Sequence, residues 1–84
     1  MPQAYYLVAN HKGRWTIKAG KRRFGPYRNQ EHATNVAIDT AYRAGLKGFE
    51  AKVLVQRTDE EFRTEWTFGA DTYPPAKSSG ARPN

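Results

Sequence analysis

From Arg14 to Lys18 the chain alternates without a break, with Trp15 and Ile17 on one side and Arg14, Thr16 and Lys18 on the other. A period of two marks a strand with one buried face. Tyr5-Tyr6-Leu7-Val8-Ala9 comes before it and is β-branched and aromatic enough to predict a first strand. Asn10-His11-Lys12-Gly13 supplies turn residues between the two, so an N-terminal hairpin is expected. With Tyr5 and Leu7 pointing inward, Tyr6 falls on the polar side with Arg14 and Lys18. Gly20 to Tyr27 reads as a basic loop, since Pro26 disfavours helix at Gly25 and keeps the stretch extended or turned.

From Gln30 the period changes. Ala33, Val36, Ala37, Thr40, Ala41 and Ala44 recur at helical spacing and form one stripe, predicting a helix over 30–44. Asn29 is a good N-cap, and Glu31 lies in the first turn, where the helix dipole favours an acid. Gly45 is expected at the C′ position, with Leu46 making the hydrophobic contact of a Schellman ending. The four alanines of the stripe imply a helix axis close to the sheet.

Glu50 to Gln56 alternates again, Ala51, Val53 and Val55 opposing Lys52, Leu54 and Gln56. After Thr58-Asp59-Glu60-Glu61, the run from Phe62 to Phe68 is expected to place Phe62, Thr64, Trp66 and Phe68 on one face and Arg63, Glu65 and Thr67 on the other. The order is β-β-α-β-β. The expected fold is a small α+β domain, a four-stranded, mainly antiparallel sheet with one helix packed on one face. It spans residues 1–73. Residues 74–84, rich in Pro, Ser and Gly, are expected to form a disordered tail.

Composition narrows this picture. With 84 residues there is room for one domain, and eleven aromatic residues give a small core large buried areas from few positions. There are no cysteines, so neither a disulfide framework nor a zinc-thiolate site helps hold the chain together. No apolar run reaches the length of a membrane span, and a cytoplasmic protein is expected.

The net charge of +6 gains meaning from its location. Residues 1–28 carry Lys12, Arg14, Lys18, Lys21, Arg22, Arg23 and Arg28 and no acid, while the rest of the chain has seven bases against eight acids. All of the excess lies in the first third. Segregated charge of this kind makes a local positive field, which bears on partners and not on fold.

Three patterns together resemble a small bacterial family, domain of unknown function 2188. They are Trp15 soon after a glycine turn, the helix entry Glu31-His32-Ala33 with alanines following at helical spacing, and the closing run Phe62-Arg63-Thr64-Glu65-Trp66-Thr67-Phe68-Gly69-Ala70-Asp71 leading to Pro74-Pro75. The resemblance covers about residues 5–75 and implies the same β-β-α-β-β order. It implies no activity, because the family has none assigned. Asp59-Glu60-Glu61 stands where such proteins usually have an Asp-Gly turn, which implies a longer loop.

The inventory of reactive groups is thin. The histidines are His11, in a turn, and His32, in the first helical turn; the serines, Ser78 and Ser79, lie in the tail. Nothing pairs a nucleophile with a base and an orienting group, so no catalytic residue and no enzyme activity is expected. Asp59, Glu60 and Glu61 lack the spacing of a calcium loop, and no glycine-rich phosphate loop is present. No metal and no cofactor is expected.

Two binding readings remain. In the first, a basic sheet face with an exposed aromatic holds RNA or DNA. Arg14, Lys18, Lys21, Arg22, Arg23 and Arg28 contact phosphates, Tyr6 stacks on a base, and Lys52 and Arg63 share the face. Leu54 and Glu65 on that same face count against a dedicated phosphate track. In the second, the open face or a sheet edge mediates self-association, with Leu54, Tyr6 and Val8 as an apolar spot. Neither involves a membrane.

Overall fold

A computed structural model of the chain describes residues 2–58 and 61–75. Among these residues there are five strands and one helix, in the order β1 (Gln3–His11), β2 (Arg14–Ala19), β3 (Arg22–Tyr27), α1 (Gln30–Leu46), β4 (Glu50–Gln56) and β5 (Phe62–Thr67). They form one sheet in the order β3-β2-β1-β4-β5. β1 and β4 pair in parallel, and the other neighbours are antiparallel.

The expected four-stranded sheet is thus a five-stranded mixed one. The added strand is β3, formed by the segment read as a basic loop. It folds back on β2 through a two-residue turn, with Ala19 opposite Arg22 and Lys18 opposite Arg23. As an edge strand it tolerates Pro26, which has no N–H to give a further neighbour, and the register shifts where Gly25 and Pro26 pass Thr16. The parallel pairing follows from α1, which carries the chain across the sheet and lets β4 enter beside β1.

The helix lies over β1 and β4, and the core sits between them. Val8, Val53 and the stripe residues Ala33, Ala37 and Ala41 are fully buried, with Ile17, Ile38, Ala51, Val55 and Trp66 nearly so. Alanines at the contact let the helix approach closely, as their spacing predicts. Asn29 caps the N-terminus, its Oδ1 accepting from the His32 N–H at 2.8 Å. The C-terminus departs from expectation. Gly45 lies inside the helix, and Gly48 (φ +99°) takes the C′ position of a Schellman motif. There the Phe49 N–H donates to the Ala44 carbonyl and the Gly48 N–H to that of Gly45. Leu46 is left 64 % exposed.

Two strand phases also differ from the alternation. In β1 it is Ala4, Tyr6 and Val8 that pack toward the helix, because the parallel neighbour aligns them with Ala51, Val53 and Val55. Tyr5 and Leu7 therefore face the other way. In β5, Trp66 pairs with Val53 but Thr64 with Leu54, so Glu65 is an extra residue in a bulge. Beyond it, Arg63 aligns with Val55 on the helix side, while Phe62 and Thr64 align with Gln56 and Leu54 on the open side. Phe62 and Thr64 thus do not share the face of Trp66.

After β5 the chain turns back onto the helix. The Trp66 indole Nε1 donates to the Thr72 carbonyl at 2.9 Å, and the Tyr73 ring stacks on Tyr42 with centroids 3.8 Å apart. The Tyr73 hydroxyl donates to the Asp39 carboxylate, which also pairs with Arg43 at 2.9 Å. Packed structure therefore reaches Tyr73. Of the segment expected to be a tail, residues 76–84 lie outside the described residues, as do residues 59 and 60 of the acidic turn.

Candidate functional site

The sheet has one face covered by α1 and one left open, and the strand pairing fixes which side chains line the open one. Across its middle run Arg23, Lys18, Leu7, Leu54 and Thr64, one from each strand in sheet order. A second row holds Tyr5, Lys52 and Thr67. On the other side of the middle row come Thr16 with Ala9, then Arg14 with His11, and Gln56 with Phe62.

Several residues singled out from the sequence meet here, and several do not. Arg14, Lys18 and Arg23 share the face, with Lys52. Lys21 sits in the turn joining β2 and β3, at the end of that face. Arg22 aligns with Ala19 and so belongs to the opposite side. Arg28 is exposed in the connection between β3 and α1. Tyr6 packs against the core and is not available for stacking on the open face. Arg63 leaves the face because of the bulge at Glu65.

Two aromatics that the alternation placed inward take the position expected for Tyr6. Tyr5 and Phe62 are each 37 % exposed on this face. The Lys52 ammonium lies 5.7 Å from the centroid of the Tyr5 ring, within cation–π range. Leu7 and Leu54, paired and half-buried, form an apolar floor between the two rings. Thr16 is on the same face yet only 7 % exposed, its hydroxyl donating to the Ala9 carbonyl at 3.2 Å.

The acids are arranged differently. Among the described strand residues, the open face carries a single carboxylate, Glu50, paired with Gln3 at one end. Glu31, Asp39, Glu65 and Asp71 instead line a groove of about 1020 Å³ on the helix side, floored in part by Val55 and Trp66. The open face thus carries cations with one carboxylate at its margin, whereas the helix side mixes these acids with Arg22, Arg43, Arg57 and Arg63. In the groove, the hydrogen bond to Asp39 raises the Tyr73 pKa above its usual value, with desolvation and the Asp39 charge adding to the effect. The His32 ring lies 5.6 Å from that of Tyr27. Among the described residues no three His, Asp or Glu side chains converge as a metal site would require.

A family profile for an uncharacterized protein conserved in bacteria (DUF2188) matches residues 5–68. No curated protein and no solved structure matches the chain. The matched span takes in all five strands except the first two residues of β1, together with the whole helix, and the chain belongs to the DUF2188 family.

Proposed function

We propose that this protein is a non-enzymatic binding module of the bacterial cytoplasm whose open sheet face contacts nucleic acid. The observation that carries the reading is the charge of the open face: Arg14, Lys18, Arg23 and Lys52 share it, and among the described strand residues its one carboxylate, Glu50, lies at the margin. A polyanion approaching the open face meets cations with one carboxylate at the margin. Glu65, which in strict alternation would fall on that surface, is the unpaired residue of the bulge and lines the groove on the helix side.

The test is a titration of labelled oligonucleotides at two salt concentrations. Three neutralised phosphates give a log–log salt slope of about −2 to −3. Changing Arg14, Lys18 and Arg23 together to Ala flattens that slope and weakens binding, whereas Arg22→Ala, on the opposite side, leaves both nearly unchanged. Absence of micromolar binding at low salt would sink the reading.

A second reading rests on the apolar floor. Leu7, Leu54, Tyr5 and Phe62 on an uncovered face are also what a homodimer buries. Sedimentation across a wide concentration range decides it, and a strict monomer removes it.

A further inference from the structure

We propose that the ligand of the open face is an unpaired nucleic-acid strand, its phosphates over β2 and β3 and two of its bases stacked on Tyr5 and Phe62. The proposal rests on the nucleic-acid reading above and adds the form of the ligand and its orientation.

Most of the charge lies beside the aromatic surface on this face, with Lys52 the one cation set among the rings. Arg14 and Lys18 are on β2 and Arg23 on β3, at one half of the sheet. Tyr5 is on β1 and Phe62 on β5, with Leu7 and Leu54 between them. A ligand lying along the strands must offer anions on one flank and apolar, flat groups on the other. An unpaired strand has that cross-section, since its phosphates and its splayed bases point apart. A duplex presents phosphates outward and keeps its base faces stacked inside, so it leaves Tyr5, Leu7, Leu54 and Phe62 uncovered.

The spacing requires two stacking positions and not one. Tyr5 and Phe62 are two strands apart across the sheet and four residues apart along it, or roughly 10 Å by 13 Å. No single base spans that distance, so the face holds several nucleotides. The Lys52 ammonium near the Tyr5 ring keeps a positive charge beside the base stacked there. Every base has a π face, so binding by these two rings depends little on sequence.

The experiment uses the full chain and three probes of about ten nucleotides, within the span of known single-strand sites. The probes are oligothymidylate, an abasic backbone of equal length and a duplex, followed by fluorescence anisotropy at low salt. Oligothymidylate is expected to bind at least about 30-fold more tightly than the abasic strand, as stacking on two rings predicts. Tyr5→Leu and Phe62→Leu each move oligothymidylate toward the abasic value and leave abasic binding unchanged. Leucine keeps apolar volume at both sites, and thermal melts of the variants check that they fold. Equal affinity for oligothymidylate and the abasic strand, a duplex bound as tightly as the single strand, or variants that weaken both strands equally would overturn the stacking proposal. In any of those cases salt-dependent binding through Arg14, Lys18 and Arg23 still stands. If no probe binds and their removal changes nothing, the nucleic-acid reading itself falls.

Discussion

The ring of Phe68 occupies the space that a side chain on Gly45 would need. A Cβ added at Gly45 overlaps the ring carbons Cγ, Cδ1 and Cδ2. Gly45 lies within α1, where glycine costs about 0.5–1 kcal/mol relative to alanine. Its presence there is explained by close approach and not by helix termination. Phe68 contacts the Tyr42 ring at 5.9 Å and the Trp66 ring at 6.3 Å, so the glycine lets a cluster of aromatics close over the end of the helix.

Gly45→Ala is therefore expected to destabilise the protein even though alanine is the better helix former. Overpacking of this kind costs about 1–3 kcal/mol, which exceeds the propensity gain. Urea denaturation measures it. Adding Phe68→Leu to Gly45→Ala should recover part of the loss, a coupling that a double-mutant cycle isolates. A stabilised Gly45→Ala single variant contradicts the contact.

Trp66 is 2 % exposed and pairs with Val53 beneath the helix. Trp66→Ala is expected to cost about 3–5 kcal/mol, the range for truncating a large buried aromatic. For an 84-residue chain that is a large share of a typical total stability. The variant is expected to be partly unfolded at room temperature, visible as lost dispersion in an NMR spectrum.

Tyr73 gives the fold a pH dependence on the alkaline side. Its pKa is raised because its hydroxyl donates to Asp39, so the folded state favours the protonated phenol. The stabilisation is fully present below the unfolded tyrosine value near pH 10 and is lost as pH rises through the higher folded value. Tyr73→Phe removes that component. The stability difference between wild type and Tyr73→Phe, followed by urea unfolding from pH 8 upward, should shrink across this window. A constant difference would mean that the hydroxyl is not held by Asp39.

Much of this arrangement is legible in the chain, and the exceptions have physical causes. Ala51, Val53 and Val55 alternate cleanly, and the alanine stripe and Asn29 cap announce α1 and its start. β3 is hidden because Gly25-Pro26 reads as a break, although an edge strand accommodates it. The bulge at Glu65 leaves no mark in composition, and it alone moves Arg63 off the open face and Phe62 onto it. In β1 the difficulty is of another kind: Tyr5-Tyr6-Leu7-Val8 is apolar throughout, so period two has no phase there, and the partner strand β4 decides it. The candidate site inherits these ambiguities. Its cations on β2 are readable from the sequence, while its aromatics depend on long-range register.

That dependence yields a direct test of register. Tyr6 aligns with Val53 and packs against the core, whereas Tyr5 aligns with Lys52 on the open face. Truncating Tyr6 to Ala removes part of a packed ring and should cost about 2–4 kcal/mol, below the range for a fully buried aromatic. Tyr5→Ala gives up a cation–π contact and some exposed apolar area, worth about 1 kcal/mol or less. The two neighbours are chemically identical, so the asymmetry comes from facing alone. If urea midpoints show Tyr5→Ala as the more damaging change, the phase of β1 is inverted, Tyr6 returns to the open face, and the stacking position proposed for Tyr5 passes to it.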